Sequence, residues 1–409
     1  MLSAAVALAG QTDVSTLVEQ NRQLVEQVRA QQKQIDELRT RLDHLDEAAG
    51  PGRPLPAAES GRPVRLSGEV GLGFFKTGSD GTHPRSEFRV DDARLFVEAP
   101  IWRNVYFYTG VELTTREMDE NLHVGELYVD VENLWSADHN HTLSLRAGRM
   151  NIPFGEEYLV RNVMDDPLVS HSLADPWGID EGVQIYGRLG RVRYNVAVQN
   201  GGLPTLTDGN SDKAVTARLT LEATSQLTLS ASAMRTGKLD LAGDGFSALW
   251  FGNAFFRSLG PGSTTRTFSA DLYELDASYK WPTGHVQGNA GWAKYADDDT
   301  AADNSRHLSY YSIEGVQHLS ANLFAAARYS AIAAPRGYPL AGEGNAGNYF
   351  YNPYGPLTKN LRRLSLGLGY QFAPPLVWKL EYSREDGRLI NGAPRNDEDM
   401  FSSILGLRF

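Results

Sequence analysis

The residues with chemical capacity in this chain fall on one parity of short alternating segments. They are Arg94, Glu98, Glu112, Glu126, Asp130, Arg146, Arg188, Arg193, Arg218, Glu222, Arg328, Arg363, Glu381 and Arg408. The opposite parity is apolar, as where Val105, Phe107, Thr109, Val111 and Leu113 alternate with Tyr106, Tyr108, Gly110 and Glu112. A strand sends alternate side chains to opposite faces, so each segment has one apolar and one polar face. Arginines and carboxylates sharing a face support two readings. Along a watery path, guanidinium groups attract anions while carboxylates shape a transverse field. Paired between neighbouring strands, the same groups simply stiffen a wall. The residues expected to line a pore are Arg94, Glu112, Glu126, Asp130, Arg146, Arg188, Arg193, Arg218, Arg328 and Arg363.

Other chemistry is weakly represented. There is no G-x-S-x-G, H-E-x-x-H or phosphate-binding glycine motif. There are no cysteines, which excludes disulfides and thiolate metal sites. Asp138-His139-Asn140-His141 and Asp297-Asp298-Asp299 carry metal-ligand types but read better as a solvated turn and a polar loop. Neither an enzyme nor a resident cofactor or metal is expected.

The elements that must position the charges are strands of about ten residues, roughly the length that crosses a bilayer at a tilt. Sixteen run from Val64–Phe75 to Met400–Phe409. The connections alternate. Gly190, Ala223–Ser225, Pro282–Thr283, Ser320–Ala321 and Ala373–Pro375 are short; Ser79–Pro84, Gly201–Asp212, Gly237–Arg266, Ala331–Asn360 and Gly387–Asp399 are long and polar. Short turns on one rim and long loops on the other are the habit of an outer-membrane barrel. A soluble β-sandwich also alternates, but needs neither so many ten-residue strands nor this asymmetry. A charge facing lipid at mid-depth costs about 2–4 kcal/mol, so the charged parity must point inward. In the last strand Phe401, Leu405, Leu407 and Phe409 would then face lipid, and Arg408 would sit at the rim or in the lumen. The expected fold is all-β: a 16-stranded antiparallel transmembrane β-barrel over 64–409, preceded by an N-terminal α-helical coiled coil.

The rest of the chain agrees. Its 39 basic and 50 acidic residues leave a net charge of −11, which argues against nucleic-acid binding. No run approaches the ~18–20 apolar residues of a spanning helix, which a barrel does not need. Residues 1–10, MLSAAVALAG, read as the remnant of a signal peptide beginning upstream, with Ala7-Leu8-Ala9 as the cleavage motif. Residues 13–49 form the expected coiled coil. Val14, Asn21, Val28, Ile35 and Leu42 occupy a; Leu17, Leu24, Gln31, Leu38 and Leu45 occupy d. Residues 50–63, rich in Pro, Gly and Ala, read as a linker.

One connection, Met150 to Glu181, abandons the rhythm for about thirty residues, a length that usually signals function. Its first segment is Gly148-Arg149-Met150-Asn151-Ile152-Pro153-Phe154-Gly155-Glu156-Glu157. Arg161, Asp165, Asp166, His171 and Asp175-Pro176-Trp177-Gly178 follow. The G-x-x-x-x-P-F-G-x-E spacing, the later run from Gly182-Val183-Gln184 through Tyr194-Asn195 to Asn200-Gly201, and terminal Phe409 resemble the phosphate-selective porin O and P family. The resemblance covers 64–409. It implies a trimeric sixteen-stranded outer-membrane channel whose third long loop, 151–180 here, folds inward as the constriction. The constriction residues it implies are Pro153, Phe154, Gly155, Glu156, Glu157, Arg161, Asp165 and Asp166. It also implies that an aromatic last residue is read by the barrel-assembly machinery. Phosphate-selective members concentrate arginine and lysine along the pore. This loop departs from that pattern, offering only Arg161 among Glu156, Glu157, Asp165 and Asp166.

The resulting expectation is a porin for passive diffusion of small hydrophilic solutes or ions, with an anion preference. Its expected partners are outer-membrane lipid, two further copies in a homotrimer, and peptidoglycan or another periplasmic partner reached through the coiled coil. Two other readings compete. One is a barrel that chiefly anchors the outer membrane to peptidoglycan; the other is a membrane hydrolase with a Ser–His pair on adjacent strands.

Overall fold

Alternation of apolar and polar side chains turns into strands throughout the body of the chain. In the computed structural model the described residues are 64–409, apart from 82, 115–121, 138–139, 161, 177, 202–207, 209, 242–254, 257–258, 260–261, 341, 343–356 and 396. The signal-peptide remnant, coiled coil and linker expected over 1–63 lie outside them.

Sixteen long strands are found among the described residues. They are β1 (Arg65–Thr77), β2 (Glu87–Trp102), β3 (Val105–Thr114), β4 (His123–Ala137), β5 (Asn140–Asn151), β6 (Ile179–Leu189), β7 (Val192–Gln199) and β8 (Ala214–Glu222). There follow β9 (Leu227–Arg235), β10 (Thr267–Trp281), β11 (Gly284–Asp297), β12 (Arg306–His318), β13 (Leu323–Tyr338), β14 (Thr358–Ala373), β15 (Leu376–Leu389) and β16 (Met400–Arg408). Each pairs antiparallel with the next, and β16 returns to pair with β1, with Leu72 opposite Leu405. The sheet is a closed barrel, so no long edge is left unpaired. The seam extends one residue past β16, where the Gly68 and Phe409 backbones exchange N–H···O bonds of 3.0 Å.

Some strands outrun their sequence-based ends. β13 continues to Tyr338 and β15 to Leu389, beyond the expected Ser330 and Ser383. Along Ala331-Ile332-Ala333-Ala334 both parities are apolar or small, so alternation fades although pairing with β14 persists as far as Tyr338. Both faces can be apolar there because loops cover the inner one.

The outer face is a belt of exposed Leu66, Val129, Leu219, Leu275, Ile313, Leu366, Leu368 and Leu407. Aromatic rings flank it: Phe74 with Phe88 and Phe401 toward the long-loop rim, Tyr279 with Trp281 and Tyr370 with Phe372 toward the short-turn rim. Water-facing surfaces rarely carry apolar patches above roughly 300–600 Å². A belt around a barrel, edged by aromatics, has the form of a lipid-facing surface.

The inner face is not uniformly polar. Toward the long-loop rim, inward-facing Leu272, Tyr295, Leu308, Tyr310, Ile332 and Leu361 join Ile152, Phe154 and Leu173 from the third long loop and Phe255 and Phe256 from the fifth. The loops thus build a dry core against β8–β14, and the open lumen is displaced to the other side.

Candidate channel lumen

The third long loop, 152–178, leaves β5 and rejoins the barrel at β6. Its roots are tied by Ile152 N to Gly178 O at 2.9 Å. It first runs against β8–β10. Gly155 N donates to Ser232 Oγ at 3.0 Å, Glu156 N donates to Asp276 Oδ1 at 3.1 Å, and the Glu156 carboxylate pairs with Arg218. A 3-10 turn, Glu157–Val160, then carries the chain across the lumen. At the far wall Arg408 of β16 binds Asp165 at 2.7 Å and Asn162 at 3.0 Å. Val163 packs on Phe75, Met400 and Ile404.

The return leg is bolted to β11–β15. The Val169 and Ser170 amides donate to Glu381 Oε2 at 2.6 and 2.7 Å, and Ser170 Oγ donates to Glu381 Oε1 at 2.5 Å. Lys379 Nζ donates to the Asp166 and Leu168 carbonyls at 2.7 and 2.8 Å. Arg328 reaches Ser170 O at 2.5 Å and Asp166 Oδ1 at 2.9 Å, and pairs with Glu314. Arg363 reaches His171 O at 3.0 Å and Glu385 at 2.6 Å. Ser330 Oγ receives Leu173 N, and Asn289 Nδ2 donates to Ala174 O at 2.7 Å. Hydrogen bonds to charged groups contribute roughly 1.5–3 kcal/mol each, so this set fixes the loop against the wall.

Two glycines make room for it. A Cβ on Gly367 of β14 would lie 2.5 Å from Leu168 Cδ2. One on Gly406 of β16 would lie 3.1 Å from Met164 Sδ and 3.2 Å from Val163 O. The electrostatics match the geometry. Burial alone would raise the Asp166 carboxyl, but Arg328 and His171 overcome it and hold the group well below the ordinary carboxylate range. At Asp165 burial is likewise outweighed, by hydrogen bonds from Arg408 and Asn162, and its carboxyl is lowered.

The crossing turn leaves the inner wall of β2–β7 open. Leu159 faces it across a cavity of about 290 Å³ lined by Glu132, Ser144, Tyr186, Arg188, Arg193 and Arg218. A second cavity, about 510 Å³, lies over β1–β5 and is lined by Arg65, Glu98, Tyr106, Tyr108, Tyr128, Asp130, Glu132 and Arg146. Two of its three carboxylates are paired: Arg146 donates twice to Asp130 Oδ2, at 2.7 and 3.0 Å, and Arg65 lies 3.7 Å from Glu98, while Glu132 is the third.

The residues singled out from sequence therefore separate into two groups. Arg94, Glu112, Glu126, Asp130, Arg146, Arg188 and Arg193 lie on the inner wall of β2–β7. Arg94 is 3.1 Å from Asp92 and 3.9 Å from Glu112. Arg188 and Arg193 share Glu222, and Glu126 accepts from Asn151 N at 3.2 Å. Arg218, Arg328 and Arg363 are also inward but lie beneath the loop, with Arg328 4% and Arg363 1% exposed. Pro153 and Phe154 are buried at its start, Gly155 and Glu156 touch β8–β10, and Asp165 and Asp166 are pinned as above. Glu157 accepts from Ser172 N and Oγ within the loop. Arg161 lies outside the described residues.

The structure adds groups that the sequence reading passed over. Lys379, Asn289, Ser232 and Ser330 hold the loop although none stands out in sequence. Their only signal was polarity on the inward parity. Glu157, His171 and Asp175, already noted in the sequence of the same loop, are brought together so that each offers a ligand atom within 4.8 Å of the others. On the open wall Phe96, Tyr108 and Tyr128 stack in succession, with centroids 6.3 and 4.9 Å apart. Arg146 lies over Tyr128 at 4.1 Å and over Tyr186 at 5.4 Å.

The sequence matches no protein-family model and no curated protein. The fold does find counterparts among solved structures. The outer membrane channel DcaP of Acinetobacter baumannii superposes with a TM-score of 0.59 at 14% identity, covering 86% of this chain and 98% of that one. The trimer form of OmpT, an outer membrane protein of Vibrio cholerae, gives 0.55 at 11% identity, over 85% and 99%. The anion-selective porin from Comamonas acidovorans gives 0.52 at 10% identity, over 85% and 98%. The architecture is thus that of the outer-membrane porins. At these identities the likeness is one of fold.

Proposed function

We propose that this protein is an outer-membrane porin, a passive diffusion channel for small hydrophilic solutes and ions whose lumen is narrowed by the loop 152–178. The observation that carries the reading is the polar space left between that loop and the inner wall of β2–β7, inside a barrel whose outer face is apolar. The loop is held in the lumen by side chains from β8 to β16, which supports a fixed constriction. The short-turn and long-loop rims are the periplasmic and outer sides, and the protein assembles as a homotrimer, as the resemblance to the phosphate-selective porins implies. The coiled coil would extend into the periplasm toward peptidoglycan or another partner.

Anion preference would rest on Arg94, Arg146, Arg188 and Arg193, since Arg218, Arg328 and Arg363 are committed to the loop. All four have carboxylate neighbours, so selectivity should be weak, although Arg188 and Arg193 stand side by side and line one cavity with Arg218. The test is planar-bilayer recording in a KCl gradient. Discrete open channels with a small reversal potential are expected, and Arg146→Ala should shift it toward cations. Strong cation selectivity would remove the arginine reading, and an electrically silent barrel would remove the diffusion reading.

A further inference from the structure

We propose that the outer face of β12–β16 is a docking surface for a phosphorylated glycolipid of the outer leaflet, its phosphates on Arg362, Arg384 and Arg388 and its acyl chains in the furrow beside them. The inference goes beyond conduction but rests on the orientation given above, with the long loops outward. Strand parity puts the three arginines among lipid-facing side chains. On β14 the exposed parity runs Arg362, Leu364, Leu366, Leu368, and on β15 it runs Trp378, Leu380, Tyr382, Arg384, Asp386, Arg388. All three lie at the long-loop ends of their strands, where an outward charge can reach the headgroups. Arg362 stands opposite Asp386, between Arg384 and Arg388, which four residues of strand set about 13 Å apart. Among the described residues neither Arg362 nor Arg384 has an ion-pair or hydrogen-bond partner, and Arg388 reaches only the Gly392 carbonyl, at 3.4 Å. In a chain of net charge −11 this patch sets three exposed guanidinium groups against one carboxylate.

The ground beside the arginines is apolar and hollow. A furrow of about 610 Å³ crosses the outer face from Trp281 at the short-turn rim to Tyr382 and Phe401 at the long-loop rim. Its floor is made by small outward residues, Gly315 on β12 with Ala325 and Ala327 on β13. A Cβ on Gly315 would meet nothing within 4 Å. Arg384 lies two residues beyond Tyr382, so the furrow ends about 7 Å along the strand from the first guanidinium. Apolar chains joined to phosphate groups fit both halves of this surface, and guanidinium groups bind phosphate through paired N–H donors. A second copy of the chain fits less well. On the described strands the outward carboxylates are Glu181, Asp271 and Asp386; Arg149 pairs with the first at 2.7 Å, Arg235 lies 3.9 Å from the second, and the third is within the patch. None is spare to meet these arginines.

The test uses the full-length protein in detergent, with bound lipid counted by native mass spectrometry. The probes are bisphosphorylated lipid A (an acylated diglucosamine), its dephosphorylated form and phosphatidylglycerol. We expect one bisphosphorylated lipid A per chain, held at least tenfold more tightly than either of the others. Replacing Arg362→Gln, Arg384→Gln and Arg388→Gln together should weaken it at least tenfold. Gly315→Leu, which fills the open furrow, should weaken it as well. Arg235→Gln, outward at the long-loop end of β9, should leave it as in the wild type. Heat-modifiable mobility confirms that each variant forms a barrel. Equal binding of phosphatidylglycerol overturns the glycolipid assignment in favour of a general anionic surface. Displacement of lipid A by inorganic phosphate alone overturns it in favour of a free-anion site. Loss of the oligomer with lipid binding intact in the triple variant overturns it in favour of a contact between copies. An openly conducting channel that binds no lipid A overturns the docking surface and spares the diffusion reading. Lipid A binding by a silent barrel does the reverse.

Discussion

At the scale of single residues, Arg328 is the centre of the lumenal electrostatics. It joins Asp166 of the crossing loop to Glu314 of β12, and all three are almost fully buried. Removing one partner of a buried ion pair costs about 3–5 kcal/mol, because the others are left charged and desolvated. Arg328→Ala should therefore free the return leg of the loop, raising single-channel conductance and lowering the denaturant midpoint in lipid vesicles. The pH dependence has a definite sign. The Asp165 and Asp166 carboxyls titrate below their unfolded value. Their contribution to loop docking is complete above the ordinary aspartate range near ~3.9 and is lost as pH falls through the depressed values. Conductance should stay level from pH 7 to about 4 and change only below it. A step between pH 7 and about 4 would show that loop docking does not rest on these two carboxyls.

At the scale of elements, the loop 152–178 behaves as an internal brace. Glu381 alone accepts three of its hydrogen bonds, and Gly367 leaves space for Leu168. Glu381→Ala should cost roughly 2–4 kcal/mol and increase the fluctuation of the open-channel current. Gly367→Ala should also disturb the loop, because the new methyl group meets Leu168. Adding Leu168→Ala should recover part of that loss, a non-additivity expected of groups in contact. Simple addition of the two effects would show that the loop does not press on β14.

At the scale of the whole molecule, stability depends on closing the barrel and keeping its outer face apolar. The Phe409 backbone makes two hydrogen bonds to Gly68, and its ring lies where a Gly68 Cβ would be, 2.6 Å from Phe409 Cζ. Deleting Phe409 should reduce the yield of folded barrel while leaving the conductance of each folded channel unchanged, read by heat-modifiable mobility and bilayer recording. Leu366→Arg places a charge on the outer belt and should cost about 2–4 kcal/mol at mid-depth. The same assay of folded yield checks it.

The sequence by itself determined the barrel. A period of two is a local property that survives in one dimension, so Tyr106, Tyr108, Glu112 and Arg146 could be assigned to the inner face, and Phe401, Leu405 and Leu407 to the outer, before any contact was known. It also marked the connection 150–181 as unlike a strand. What it could not convey was which wall that loop would choose, because hydrogen bonds such as Val169 to Glu381 join residues 212 positions apart. Only the tertiary structure decided that Arg218, Arg328 and Arg363 brace the loop while Arg94, Arg146, Arg188 and Arg193 border open space. Only it stacked Phe96, Tyr108, Tyr128 and Arg146 into one band. Alternation fixes the face of a side chain, but register and loop docking fix its neighbours.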